Sequence, residues 1–310
     1  MLIEHRLDAV LPLVDRVVVM NRRGQILAQG TPRQVFAGHA GEMESEGIWL
    51  PETCRLTRAL AAHGRAVAGC PLSLSEMEAA LRGGGEAFGE KFMPHEGTHP
   101  SAQPMMSAPN ASPLHDHIIN VADLTFAYPG GPEALRGATL RIKRGSFCAL
   151  VGANGTGKTT LAKHLVGLLR AQGGSVTILG CDARRQSKWQ LARQVGYVFQ
   201  NPEHQFVTER VADELAYSLQ GRWRGEESRR RVQSLLRTFG LEGYQDANPF
   251  ALSQGQKRRL SVATMVALDQ PILILDEPTF GQDQQSTAAL MSTLRALHAA
   301  GATILFITHD

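Results

Sequence analysis

The sequence predicts an α/β fold whose parallel strands are buried on both faces. Three observations carry this. Short aliphatic runs without period-two alternation, such as FCALV (147–151) and ILIL (272–275), fit strands covered on both sides. Helical stretches such as LAKHLVGLL lie between them. A glycine-rich turn, GANGTGKT (152–159), joins the first of those strands to the first of those helices.

The elements follow in chain order. VDRVVVM reads as a strand, NRRGQ as a turn placed by Gly24, and ILAQG as a second strand stopping at Gly30. Thr31 then caps a short helix with Pro32 at its first position. A helix is expected after Pro51. Another is expected around PLSLSEMEAALR, where Ser73 and Glu76 have capping-box spacing. Residues 83–117 are rich in Gly, Pro, Ser and His and have no apolar period, as in a linker. From Ile118 the strand-like runs NVADLTFAY, ATLRI, FCALVG, SVTILG, VGYVFQ and ILILDEP alternate with helical segments.

Composition narrows the function classes. With 32 basic against 29 acidic residues, the formal charge of +3 does not mark a nucleic-acid binder. The cluster Arg229-Arg230-Arg231 reads as a solvated helix face. Cys54, Cys70, Cys148 and Cys181 have no metal-ligand spacing, which fits a reduced chain. His95, His99, His115 and His117 share no helical or hairpin spacing and point to no metal site. No apolar run approaches the roughly 20 residues that cross a bilayer. The opening residues, interrupted by Glu4, His5, Arg6 and Asp8, do not form a signal peptide.

The glycine-rich turn has the pattern G-x-x-x-x-G-K-[ST] in a strand–loop–helix context. It cradles phosphate with backbone N–H groups at a helix N-terminus. The candidate phosphate-binding residues are Gly152, Asn154, Gly155, Thr156, Gly157, Lys158, Thr159 and Thr160. Lys158 is expected to reach the β- and γ-phosphates and Thr159 to hold Mg²⁺. Asp276 emerges at the C-terminal edge of a buried strand, where open α/β sheets bind ligands, and is a second Mg²⁺ candidate. Glu277, next to it, is placed to orient or deprotonate a water. These residues point to binding, and hydrolysis, of a nucleoside triphosphate with Mg²⁺.

The rest of this region resembles the ATP-binding subunits of ABC transporters. LSQGQKRRL (252–260) resembles their signature, with Gln254 where glycine is commonest. The resemblance implies a P-loop nucleoside triphosphate hydrolase fold with a helical signature subdomain. It also implies that Ser253 and Gly255 touch the γ-phosphate bound by the opposite subunit. Gln200 matches the glutamine that senses Mg²⁺ and couples to the membrane partner, and Tyr128 the aromatic that stacks on adenine. Asp283 matches a conserved loop aspartate, although Gln282 stands where leucine is usual. His309 matches the switch histidine. NPEHQFVTERVADELAYSL and SQGQKRRLSVATM are similar to the energy-coupling-factor branch, which imports vitamin precursors such as hydroxymethylpyrimidine or thiamine, or cobalt and nickel.

The resemblance also gives a domain reading. EHRLDAVLPLVDRVVVMNRRGQILAQGTP, with His5 as a switch histidine, is similar to the end of a first ATP-binding domain. The expected organisation is therefore the tail of a first domain (1–50), a helical extension and linker (51–117), and most of a second domain (118–310), a fragment of a double-length ATPase. Residues 13–35 could fold back onto the second domain. The implied partners are a second ATP-binding domain (the first domain or another copy), a transmembrane coupling subunit and a substrate-capture membrane protein. The implied cofactors are ATP and Mg²⁺, and the implied location is the cytoplasmic face of the membrane. Two alternatives share the core: a soluble ABC ATPase of translation or repair, and a nucleotide-binding protein without turnover. The stretch between Thr159 and Ser253 leaves no room for a repair-type coiled coil, and intact Lys158, Asp276 and Glu277 argue against the second.

Overall fold

A computed structural model describes residues 10–48, 50–64, 67, 69–82, 117–220, 222–280, 282 and 284–309. His5, His95, His99, His115 and Asp283 lie outside them. The chain opens with a hairpin, β1 (Arg16–Met20) and β2 (Ile26–Gly30), followed by α1 (Pro32–Gly38), α2 (Ala40–Ser45), α3 (Glu52–Ala62) and α4 (Leu74–Arg82). Next come β3 (His117–Ala127), β4 (Glu133–Lys143), β5 (Phe147–Val151), α5 (Lys158–Leu165), β6 (Gly173–Ile178) and β7 (Cys181–Asp182). The remainder comprises α6 (Lys188–Ala192), β8 (Val195–Val198), α7 (Val211–Ser218), α8 (Gly225–Thr238), α9 (Gln254–Val266), β9 (Ile272–Asp276), α10 (Gln284–Ala299) and β10 (Thr303–Thr308).

The main sheet has the order β2-β1-β5-β10-β9-β8 and is parallel from β1 to β8, with β2 antiparallel at its edge. Every residue of β5, β9 and β10 is buried, which explains their unbroken aliphatic text. One face packs against α1–α3, α9 and α10 through residues such as Val17, Phe36, Met43, Phe147, Leu260 and Phe306. The other face meets α5 and an antiparallel sheet of order β4-β3-β6-β7, through Val18, Met20, Ile119, Leu140, Leu150 and Leu161. Among the described residues, no helix is long and apolar enough to cross a membrane.

Residues 16–30 do fold back. Arg16, Val17, Val18 and Val19 pair in register with Cys148, Ala149, Leu150 and Val151, so β1 flanks the strand that feeds the phosphate loop. Asp15 anchors this seam: its backbone N–H donates to the Phe147 carbonyl at 2.9 Å, and its Oδ2 accepts the Phe147 N–H at 2.7 Å. At the hairpin turn, Gly24 has φ +72°, and a Cβ there would sit 2.3 Å from the Ala134 carbonyl oxygen. Asp15→Ala leaves the buried Phe147 N–H without its carboxylate. It is expected to lower stability by about 1–3 kcal/mol, read as a lower urea midpoint at unchanged m-value.

The caps show where local spacing succeeds. Thr31 and Gln34 form a full capping box, and so do Ser253 and Gln256. At Ser73 only half of the expected box forms: the Glu76 N–H donates to Ser73 Oγ at 3.2 Å. The Glu76 carboxylate turns instead to the Leu72 N–H (2.8 Å) and to Arg33 (2.7 Å), because a guanidinium from α1 is within its reach. The arginine cluster on α8 is also divided. Arg229 and Arg230 are exposed, whereas Arg231 binds Asp269 and lies over the Trp223 ring.

Candidate nucleotide site

The site is built where β5 and β9 end. The turn after β5 runs into α5, whose first turn holds Lys158, Thr159 and Thr160. Gly157 has φ +96°, and a Cβ would approach the Ala134 carbonyl to 2.5 Å, so only glycine fits there. Lys158 Nζ donates to the Gly152 and Ala153 carbonyls at 2.6 and 3.0 Å, which wraps the loop around the ammonium. A cavity of about 410 Å³ is lined by Tyr128, Asn154, Gly155, Thr156, Gly157, Lys158, Thr159, Thr160, Gln200 and Glu277. Tyr128 is partly exposed at its mouth, packed edge-on against Phe126 at 5.0 Å, with its hydroxyl 3.3 Å from Thr160 Oγ1.

The acidic pair lies beside the loop. Asp276 ends β9 and is almost wholly buried; its Oδ2 accepts the Tyr197 hydroxyl at 2.8 Å, whereas its Oδ1 has no hydrogen-bond partner. A buried, unpartnered carboxylate oxygen is costly unless a cation or water meets it. Thr159, Gln200 and Asp276 line one cavity of about 640 Å³, an all-oxygen donor set suited to a hard divalent cation such as Mg²⁺. The residues present therefore fit the metal.

Glu277 has φ +49°, a left-handed conformation that costs a non-glycine residue about 1–3 kcal/mol. It is held there because its N–H donates to the Ile307 carbonyl at 3.0 Å. Its Oε1 lies 2.8 Å from His309 Nδ1. Burial pushes the Glu277 carboxyl up, opposed by its hydrogen bond to His309 and by the charge of Lys158.

The structure thus brings together Tyr128, residues 152–160, Gln200, Asp276, Glu277 and His309. Ser253 and Gly255 are elsewhere: Ser253 caps α9 and is exposed, and neither lines the phosphate cavity. Two contributors were not foreseen from sequence. Tyr197 orients Asp276. Arg258, buried on α9, donates to the Phe199 and Gln200 carbonyls at 2.6 Å each and to the Glu277 carbonyl at 3.5 Å. Burial brings its guanidinium down to about 10, partly offset by Asp276 and Glu277. Local spacing carried no signal for Arg258, because α9 buries Lys257, Arg258 and every residue from Leu260 to Thr264.

A glycine-rich strand–loop–helix, a buried Asp-Glu pair and a serine-capped helix lie on one α/β scaffold, and the chain belongs to the ATP-binding domains of ABC transporters. The family model described as "ABC transporter" matches residues 135–280. The chain is 35% identical over its full length to the putative HMP/thiamine import ATP-binding protein YkoD of Bacillus subtilis, of which it covers 51%. It is 33% identical to cbiO1 of Clostridium perfringens, part of the ABC transporter complex cbiONQ. That match has a TM-score of 0.57 and covers 63% of this chain and 79% of the other. A dimeric ATP-binding cassette in a post-hydrolysis state, bound to ADP and Pi, is 28% identical with a TM-score of 0.56, over 62% of this chain and 88% of that one. The chain spans about half the length of the curated relatives it matches.

Proposed function

We propose that this chain hydrolyses Mg-ATP as one half of a face-to-face pair of ATP-binding domains that powers an energy-coupling-factor importer at the cytoplasmic face of a membrane. One observation carries the paired reading. The phosphate loop and Glu277 line one cavity, with His309 beside Glu277, whereas Ser253 lies exposed at the start of α9 outside that cavity, where it can close only a partner's site. The partner is a second ATP-binding domain. Residues 1–50 fit the tail of such a domain, here completing the sheet of residues 118–310 through β1 and β2.

Adenine stacks on Tyr128, and the phosphates sit on the backbone N–H groups of 152–159 with Lys158 against their outer oxygens. Thr159, Gln200 and Asp276 would hold Mg²⁺, which would neutralise charge on the phosphates. Glu277 accepts a proton from the attacking water, His309 holds the carboxylate and the γ-phosphate end in place, and the partner's Ser253 and Gly255 close the other side. Catalysis here is positioning plus charge neutralisation.

An apolar cavity of about 590 Å³, lined by Trp189, Tyr197, Phe199, Val207 and Tyr217, adjoins the segment after Gln200. Trp189, Val207 and Tyr217 are exposed, which supports docking of the membrane coupling subunit there. The cargo class is a vitamin precursor of the hydroxymethylpyrimidine or thiamine type, or a cobalt or nickel ion, chosen by a separate membrane protein.

Mixing two disabled chains tests the pairing. Lys158→Ala keeps Ser253 and Gly255, and Ser253→Arg keeps its phosphate loop. Each alone is expected to be inactive, and the mixture to regain turnover. A mixture as inactive as its parts, with the parent chain active, contradicts the paired site. Turnover also depends on Glu277 being ionised. Because burial raises its pKa in the nucleotide-free chain, kcat/KM is expected to drop as the pH is lowered through a midpoint above the usual carboxylate range. A pH profile flat down to that range contradicts Glu277 as the base.

A further inference from the structure

Away from the nucleotide site, two thiols meet. Cys54, in the first turn of α3, is buried, and Cys70, in the segment leading to α4, is half-buried. Their Sγ atoms lie 3.4 Å apart across 16 positions of sequence, without a covalent bond. Neither backbone is loose. Cys54 belongs to the core cluster with Phe36, Met43, Ile48 and Leu50, and Cys70 and Leu72 pack against that cluster. Arg33 of α1 donates Nη1 to the Cys70 carbonyl at 2.8 Å and Nη2 to Glu76 at 2.7 Å, and Glu76 in turn accepts the Leu72 N–H at 2.8 Å. The disulfide bond length is about 2.05 Å, so side-chain motion of little more than an ångström joins the sulfurs.

We propose that Cys54 and Cys70 form a redox-reactive dithiol site that closes to a disulfide by exchange with a small disulfide such as oxidised glutathione, stapling α3 to the segment before α4. Their burial assigns the roles. Cys70, the accessible thiol, attacks one sulfur of the oxidant as its thiolate; the oxidant's S–S bond breaks and one glutathione thiolate leaves, taking up the proton Cys70 released. Cys54 then gives up its proton and attacks Cys70 Sγ, and the second glutathione leaves as a thiol. Two protein thiols are oxidised and one glutathione disulfide is reduced to two glutathiones. The hydrogen bond from Cys54 and the nearby Arg33 cation hold the Cys70 thiol below its ordinary range, against the opposing effect of burial, as suits an attacking sulfur. Cys148 is the internal contrast: burial inside β5 pushes its thiol up to about 12. The staple would stiffen the helical layer that packs behind β1 and β5.

The test equilibrates the native full chain in glutathione buffers of increasing oxidised fraction, quenches with acid, alkylates and maps peptides by mass spectrometry. Cys54 and Cys70 are expected to lose alkylation together and to appear as one joined peptide pair, reversed by dithiothreitol, while exposed Cys181 carries only glutathione. Cys54→Ser is expected to hold a persistent glutathione adduct at Cys70. Cys70→Ser is expected to leave Cys54 unmodified until the chain is unfolded. The wild-type map stands alone if either variant fails to fold. Both thiols still alkylated in buffers that modify Cys181, or a glutathione adduct persisting at Cys70 of the wild-type chain, overturns the proposal.

Discussion

A Glu277→Gln chain is expected to turn ATP over about 10²–10⁴-fold more slowly than its parent while binding Mg-ATP with unchanged affinity. The substitution is isosteric, so the left-handed backbone at 277, fixed through the Ile307 carbonyl, is kept. What is lost is the proton acceptor whose Oε1 lies 2.8 Å from His309 Nδ1. Phosphate release followed alongside calorimetric nucleotide binding separates the two effects. Turnover within tenfold of the parent would assign the proton to another group.

Lys158→Ala is expected to act on binding first. Charge-assisted hydrogen bonds contribute about 1.5–3 kcal/mol each, so losing the ammonium weakens Mg-ATP binding by roughly a hundredfold or more. The loop also loses its internal clamp, since the same Nζ bridges the Gly152 and Ala153 carbonyls. The helix that follows is fixed independently by buried Leu161, Ala162 and Leu165, so the fold should persist. Calorimetry with Mg-ATP, paired with a thermal melt, checks both halves. Unchanged affinity would remove Lys158 from the phosphate site.

These two residues were legible because the sequence writes each beside its structural context. Lys158 follows a buried strand and opens a helix, and Asp276-Glu277 follows another buried strand. Local spacing also located the caps at Thr31 and Ser73. Arg258 and Tyr197 were not legible in this way. Their partners, Gln200, Glu277 and Asp276, lie between 19 and 79 positions away, and only the packing of α9 and β8 against β9 brings them near. The positive φ of Glu277 is likewise imposed by β10, not by its own sequence neighbours. The strand-turn-strand of residues 16–30 could be read from VVVM, Gly24 and ILAQG. Its register against β5 depends on Asp15 meeting Phe147, a contact 132 positions apart.

The paired site is tested most directly by the mass of the Glu277→Gln chain in solution. Light scattering after size-exclusion chromatography should give a dimer in Mg-ATP and a monomer in Mg-ADP, because slowed hydrolysis holds each phosphate loop against the other copy's exposed Ser253. The same mass in both nucleotides, with ATP shown to be bound, would contradict a site closed by a second copy of Ser253 and Gly255.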